Sequence, residues 1–336
     1  MDAIRQNINV SQAVAEGLRL EMEADEHVLV IGEDVGRQGG VFGSTRGLQK
    51  AFGAERVLDT PISEMAFTGM AVGLAMEGYR PVVEIMFADF IGVCLEQVFN
   101  AIAKNPYMSG GATPMPIVIK TAGGAIGSAA QHSQTLWGLY AHLPGLRVVA
   151  PSSPHDSKGM MAAAVQSPDP VVFIEHKGLL LKKASSFSHG TDVPRERYTV
   201  PLDRAHVVRE GRDVTIATLS ASVGDALDAA EALALDGIDV EVLDLRSVVP
   251  LDWDGITASL RKTRRLLVVD EDYLGFGLSG ELITGAIERL GLDGLDSVSR
   301  HGLANVPVPA SKTLEQAVLP SAASIARAVR ESGAGR

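Results

Sequence analysis

The stretch RPVVEIMFADFIGVCLEQVFNAIAKNPYMSGGATPMPIVIKTA, residues 80–122, decides the fold class. RPVVEIMF at its start is a short apolar run, and PIVIKTA at its end is another. The segment between them, from Phe90 to Lys104, is predicted to be helical. Strand, helix and strand in succession argue for a parallel sheet covered by helices on both faces. The alternation extends both ways. Upstream, SQAVAEGLRLEMEAD (11–25) has helical spacing, with Val14, Leu18 and Met22 on one side and Ser11 as its expected cap. VLVIGED (28–34) then reads as a buried parallel strand ended by glycine and acid. Downstream come LRVVAPS (146–152), a helix from Pro154 to Gln166, and PVVFIEH (170–176).

The composition turns polar over ASSFSHGTDVPRERYTVPLDR (184–204), which has two prolines and no sustained period. We therefore expect a first α/β domain over residues 1–185, a linker at 186–204 and a smaller α/β domain over 205–336. In the second unit DVTIATLS (213–220), DVEVLDLRSV (239–248) and RLLVVDE (265–271) are the expected strands. Helices are expected through Ala221–Leu235, near Asp252–Arg261 and through Ser279–Leu290.

The totals exclude several function classes. At 336 residues the chain suits two domains, and 46% hydrophobic with 21% charged residues is ordinary for a globular protein. The net charge of -11, with no long Lys or Arg run, disfavours nucleic-acid binding, which needs a basic face. Cys94 is the only cysteine, so no disulfide framework or thiolate cluster is possible, and its apolar setting reads as a small buried hydrophobe. No run reaches the roughly 18 apolar residues of a membrane span, and the first residues lack a signal pattern. A cytoplasmic protein without membrane partners is expected.

Candidate chemistry concentrates in two places. DTPISEMAFTGMAVGLAMEGYRP (59–81) holds a predicted helix from Glu64 to Met76. Ala66, Gly69 and Gly73 give it a nearly smooth face for close helix contact. Glu64 lies in its first turn, where a carboxylate is favoured electrostatically whether or not it has a further role. The second place follows the strand PIVIKTA. Gly123, Gly124 and Gly127 form a loop at the carboxyl end of a strand, where open α/β sheets bind ligands; their spacing is not a dinucleotide fingerprint. His132 in AAQHSQ reads equally as functional or as solvated, while His142 and His155 read as structural. Glu175 and His176, adjacent on a strand, point to opposite faces and cannot share a metal. Zinc spacing, a GxSxG elbow and a phosphate loop are all missing. VVDEDYLGFGLSGE (268–281) reads as a strand-to-loop junction, equally open to a functional role for its acidic pair and to a turn of solvated carboxylates.

Several motifs together resemble one family. GEDVGRQGGVFGSTRGLQKAFGAERVLDTPISEMAFTGMAVGLAMEGYRPVVEIMFADF (32–90), AAQHSQTLWGLYAHLPGLRVVAPSSPHDSKGMM (129–161) and DPVVFIEHKG (169–178) are similar to the beta subunit of the decarboxylating component of 2-oxo acid dehydrogenase complexes. VDEDYLGFGLSGE and ANVPVPASKTLE resemble that family's second domain, so the likeness spans nearly the whole chain. Within the family, FADFIGVCLEQVFNAIAK is most similar to the acetoin dehydrogenase branch, with the pyruvate branch a near neighbour.

The resemblance implies a pyrimidine-binding transketolase-like domain, a transketolase-type C-terminal domain, and thiamine diphosphate as cofactor. It implies that Glu64 is the carboxyl group that activates the cofactor through its pyrimidine ring. Phe90 is then the aromatic residue packed on that ring, Met86 its neighbour, and His132 a charge-stabilising or proton-moving group near the reacting carbon. A structural potassium ion in this family is held at positions matching Ile117, Ala164, Val165, Ser167 and Asp169. There QSPDP departs from the usual charged stretch, and Pro168 restricts the geometry.

Thiamine enzymes bind the diphosphate through magnesium and a GDG motif, and no GDG occurs in these residues. The resemblance therefore implies an alpha subunit that holds the magnesium, a heterotetramer of two alpha and two beta chains, and a lipoyl-bearing acyltransferase as acceptor. The expected reaction is cleavage of acetoin or a 2-oxo acid with acyl transfer to lipoyl. A pyruvate-specific subunit and a non-catalytic assembly subunit are the alternatives, and the joint retention of Glu64, Phe90 and His132 speaks against the latter.

Overall fold

The computed structural model describes residues 4–333, which build two α/β domains around two sheets. Across the seven-stranded sheet the order is Ser247–Val249, Arg147–Val149, Val171–His176, Val118–Gly123, Arg80–Ile85, Val28–Gly32 and Val57–Asp59. All neighbours run parallel except the first pair. The central strands are buried along their whole length, which is why they read as unbroken apolar runs. Alternate residues supply two cores: Ile31, Val83, Ile119 and Ile174 on one face, Val30, Val82, Val118 and Phe173 on the other.

The second sheet has five strands, ordered Ser297–Leu303, Arg265–Tyr273, Val214–Thr218, Val240–Asp244 and His206–Arg209. Its Ala217, Leu243 and Val268 join the same core cluster as Ile31 and Ile174, so one apolar core runs between the sheets. The apparent strand DVEVLDLRSV divides between them. Val240–Asp244 pairs in the second sheet, Arg246 turns the chain at φ +58°, and Ser247–Val249 adds an antiparallel edge to the first. The Arg246 guanidinium fixes this turn with a bidentate bond to Asp156, at 2.8 and 2.9 Å.

The helix Val10–Ala24 is capped by Asn9, not Ser11: the Asn9 side chain accepts from the Gln12 amide and Gln12 returns the bond. Ser11 lies buried instead, its hydroxyl donating to Phe42 O at 2.9 Å. The expected helix Phe90–Lys104 is compound: a 3₁₀ turn at Ala88–Phe90, α-helix at Ile91–Glu96, a π segment at Gln97–Ile102 and α-helix again at Ala103–Met108. Cys94 is fully buried within it, and burial pushes its thiol up to about 11, so it packs as a hydrophobe. The segment 184–204 is packed down, with Val193–Pro194 paired to Ile4–Arg5 and Val200 and Leu202 buried. Among the described residues, no helix is long and apolar enough to cross a membrane.

A charged triad crosses the middle of the first sheet. Lys120 lies between Glu84 at 3.0 Å and Glu175 at 2.7 Å, all three nearly inaccessible to water. Ser44 donates to Glu175 at 2.7 Å and thereby fastens the loop before Gly47. Burial alone would discharge Lys120, but the two carboxylates outweigh it and raise its pKa. Lys120→Met should leave two carboxylates buried and unpaired, and cost about 3–5 kcal/mol in urea unfolding, far above a surface substitution.

Candidate active site

The parallel strands end along one edge of the first sheet, and the candidate residues collect there. Glu33 follows Val28–Gly32, Glu64 follows Val57–Asp59, and Met86 to Phe90 follow Arg80–Ile85. The His132 loop follows Val118–Gly123, and His176 and Lys177 close Val171–His176.

Glu64 opens the helix Glu64–Met76, at the bounds its sequence predicts, and is buried. Ser63 does not cap this helix; its hydroxyl donates back to Pro61 O at 3.0 Å. Glu33 lies within electrostatic reach of Glu64, and its Oε1 is buried without a partner. Burial first, then the neighbouring Glu64 carboxylate, push the Glu33 pKa above its ordinary value. Sequence reading overlooked Glu33, although GED at a strand end carried the signal.

Phe90 and His132 come together, with ring centroids 5.5 Å apart. Phe87 completes the cluster, 4.7 Å from His132 and 5.3 Å from Phe90, and Phe42 packs edge-on against Phe87. Met86 sits half-buried immediately before Phe87. Lys177 donates to the His132 carbonyl oxygen and lies 5.3 Å from the Phe87 ring. Gln134 Nε2 binds Asp89 Oδ1 at 2.7 Å, while Asp89 Oδ2 is buried and unpartnered. Aromatic faces beside orphaned carboxylate oxygens suit a flat heteroaromatic ligand with polar edges, and so fit the pyrimidine half of the expected cofactor.

The carbonyls assigned to potassium already have protein donors. Arg80 Nη1 donates to Val165 O at 3.0 Å and to Ser167 O at 3.3 Å. Ala164 O and Ile117 O accept backbone amides, and the Asp169 carboxylate pairs with Arg147 at 3.0 Å. A tethered guanidinium thus already binds two of the five assigned carbonyls, and a second cation beside it would be repelled. The arrangement does not fit a potassium site. Among the described residues, no group of three His, Cys, Asp or Glu side chains could hold a metal.

In VVDEDYLGFG the structure decides against a solvated turn. Asp270 and Asp272 are buried, and Glu271 is half-buried with its carboxylate paired. Asp270 accepts from Trp137 Nε1 at 2.8 Å, Asp272 from Gly138 N at 3.0 Å, and Glu271 from Ala125 N at 3.1 Å. Each bond joins the second domain to the loop behind His132. Glu175 and His176 face opposite sides as predicted, Glu175 toward Lys120 and His176 toward Glu271 at 2.8 Å. His155 stacks on Tyr198 with centroids 4.9 Å apart, and His142 is exposed.

Burial and the adjacent Asp272 push Asp270 up to about 7. Between about pH 4 and 7 the folded chain then keeps a proton that the unfolded chain has released, so this group lowers stability as pH rises. Asp270→Asn keeps the acceptor for Trp137 and removes the titration. Relative to wild type, its thermal midpoint should climb from pH 5 to pH 8.

Residues 6–182 match the family model described as transketolase, pyrimidine binding domain, and residues 203–325 match transketolase, C-terminal domain. Over 328 residues the chain is 44% identical to the acetoin:2,6-dichlorophenolindophenol oxidoreductase subunit beta of Bacillus subtilis, covering 94% of each. It is 44% identical over 279 residues to the pyruvate dehydrogenase E1 component subunit beta of the same organism, covering 83% of this chain and 84% of that one. A split gene transketolase, solved as an inactive beta4 tetramer, superposes with a TM-score of 0.77 at 21% identity, covering 97% and 98% of the two chains; at that identity the likeness concerns the fold alone.

Proposed function

Because this chain belongs to the family of acetoin and pyruvate dehydrogenase beta subunits, with transketolase-type pyrimidine-binding and C-terminal domains, we propose that it is the beta half of a thiamine-diphosphate-dependent dehydrogenase component. The component cleaves acetoin or a 2-oxo acid and passes the acyl unit to a lipoyl group of a partner acyltransferase. Acetoin is the favoured donor on the likeness of FADFIGVCLEQVFNAIAK to that branch; by identity the branches are nearly level, at 44% over 94% of this chain for the acetoin subunit and 42% over 97% for the pyruvate dehydrogenase E1 component subunit beta of Pisum sativum. That second identity makes pyruvate the alternative.

The observation that carries the reading is the convergence of Glu64, Glu33, Phe90 and His132 at the carboxyl edge of one sheet. Glu64 would hydrogen-bond the pyrimidine ring nitrogen, and Glu33, whose own pKa is raised by burial and by the Glu64 carboxylate, stands beside it. Phe90 and Met86 would hold the ring flat, and His132 would stabilise charge or move a proton near the reacting carbon. When bound, the cofactor supplies the nucleophilic carbon and the electron sink for bond cleavage.

The chain carries no GDG, so the diphosphate and its magnesium fall to an alpha subunit. A contact face is available for such a partner. Ile62, Met65, Met70 and Met76 are exposed along and before the helix Glu64–Met76, and a Cβ on Gly73 would meet nothing of this chain within 4 Å.

Two variants separate chemistry from assembly. Glu64→Gln, co-expressed with the alpha subunit, should assemble normally and lose activity by roughly a hundredfold or more. Unchanged turnover would refute the activating role. Gly73→Leu should instead prevent heterotetramer formation, read by native mass spectrometry, and a full complement of assembled tetramer would contradict the proposed interface.

A further inference from the structure

The loop from Gly124 to Leu136 contains no helix or strand, yet it holds His132 against Phe87 and Phe90. Its backbone is strained at two non-glycine positions, Ala129 at φ +60° and Leu136 at φ +54°. Such a conformation persists only where the surroundings impose it.

Two carboxylates from the C-terminal domain supply that restraint. Glu315, on the helix Lys312–Val318, accepts the Gly127 amide with both oxygens, at 2.8 and 3.0 Å. Glu271, near the end of the strand Arg265–Tyr273, accepts the Ala125 amide at 3.1 Å with one oxygen and meets His176 Nε2 at 2.8 Å with the other. His176 Nδ1 accepts the Gly178 amide at 3.1 Å, which assigns the Nε2 proton to the bond with Glu271. The imidazole fills the space a side chain at Gly124 would need: a Cβ there would collide with His176 Nε2. Burial acting alone would raise the Glu271 pKa, but His176 and the Ala125 amide outweigh it and keep the group ionised. Both carboxylates also act electrostatically on Lys177, which holds the His132 carbonyl oxygen, so their influence reaches His132 through the loop and through that lysine.

We propose that Glu271 and Glu315 are positioning residues, a clamp from the second domain that sets the His132 loop in its working geometry. The inference rests on the catalytic reading of His132 given above.

The test uses the assembled enzyme with alanine variants at both positions, alone and combined with His132→Ala. Hydrogen exchange of the peptide covering residues 123–136 is read by mass spectrometry, beside turnover and thiamine-diphosphate half-saturation. The clamp predicts about tenfold faster exchange in that peptide and about tenfold lower kcat, with half-saturation moved less than about threefold. In the His132→Ala background, losing either glutamate should cost nothing further, because the group being positioned is gone. Unaltered exchange, or losses that multiply with that of His132→Ala, would overturn the proposal. Normal turnover in His132→Ala alone would instead refute the role given to His132, while the exchange data still decide whether the clamp exists. Should alanine prevent assembly, Glu271→Gln and Glu315→Gln retain the volume and one acceptor. They should show intermediate exchange and turnover, and wild-type values in both would reject the clamp.

Discussion

Parallel pairing is the constraint on which the rest depends. Six strands of the first sheet share one direction, so their carboxyl ends fall on a single edge. Residues as distant in sequence as Glu33, Glu64, Phe90, His132 and His176 are thereby delivered to one neighbourhood without any local motif linking them. The Glu84–Lys120–Glu175 triad ties three of these strands together from within, and its Ser44 bond draws the loop beyond Glu33 onto the same frame. Fully paired, such a triad adds little net stability, but a mispaired register would strand its charges.

The second domain is part of the site's construction. Its chain crosses into the first sheet at Ser247–Val249, and the apolar core is continuous between the sheets. Asp270, Glu271, Asp272 and Glu315 then reach the backbone and Trp137 in the segment that carries His132. A loop with two left-handed non-glycine residues can be held this way because its restraints come from rigid elements outside it.

Local signals were legible in the sequence. Glu64–Met76 and Pro154–Gln166 lie at their predicted bounds, since period and flanking residues act within a turn or two of the chain. The central strands of the first sheet read clearly because burial on both faces demands unbroken apolar runs, whereas the short edge strand Val57–Asp59, only partly buried, did not. What escaped depended on distant partners. DVEVLDLRSV looks continuous, although a single left-handed residue, Arg246, sends its end to another sheet. The DED segment left a solvated turn open because its partners lie 95 to 146 residues upstream. The setting of the potassium positions was hidden for a similar reason: Arg80, 85 residues from Val165, donates to two of their carbonyls.

The central claim is that this chain holds the pyrimidine half of a divided active site, and activity on reconstitution tests it most directly. Dye reduction would be followed with thiamine diphosphate and magnesium, offering acetoin, pyruvate and a branched 2-oxo acid in turn. The chain would be assayed alone and co-expressed with its alpha subunit. Turnover confined to the co-expressed sample, fastest with acetoin, is the predicted result. Equal turnover by the chain alone, or none with any donor from a fully formed heterotetramer, would contradict it.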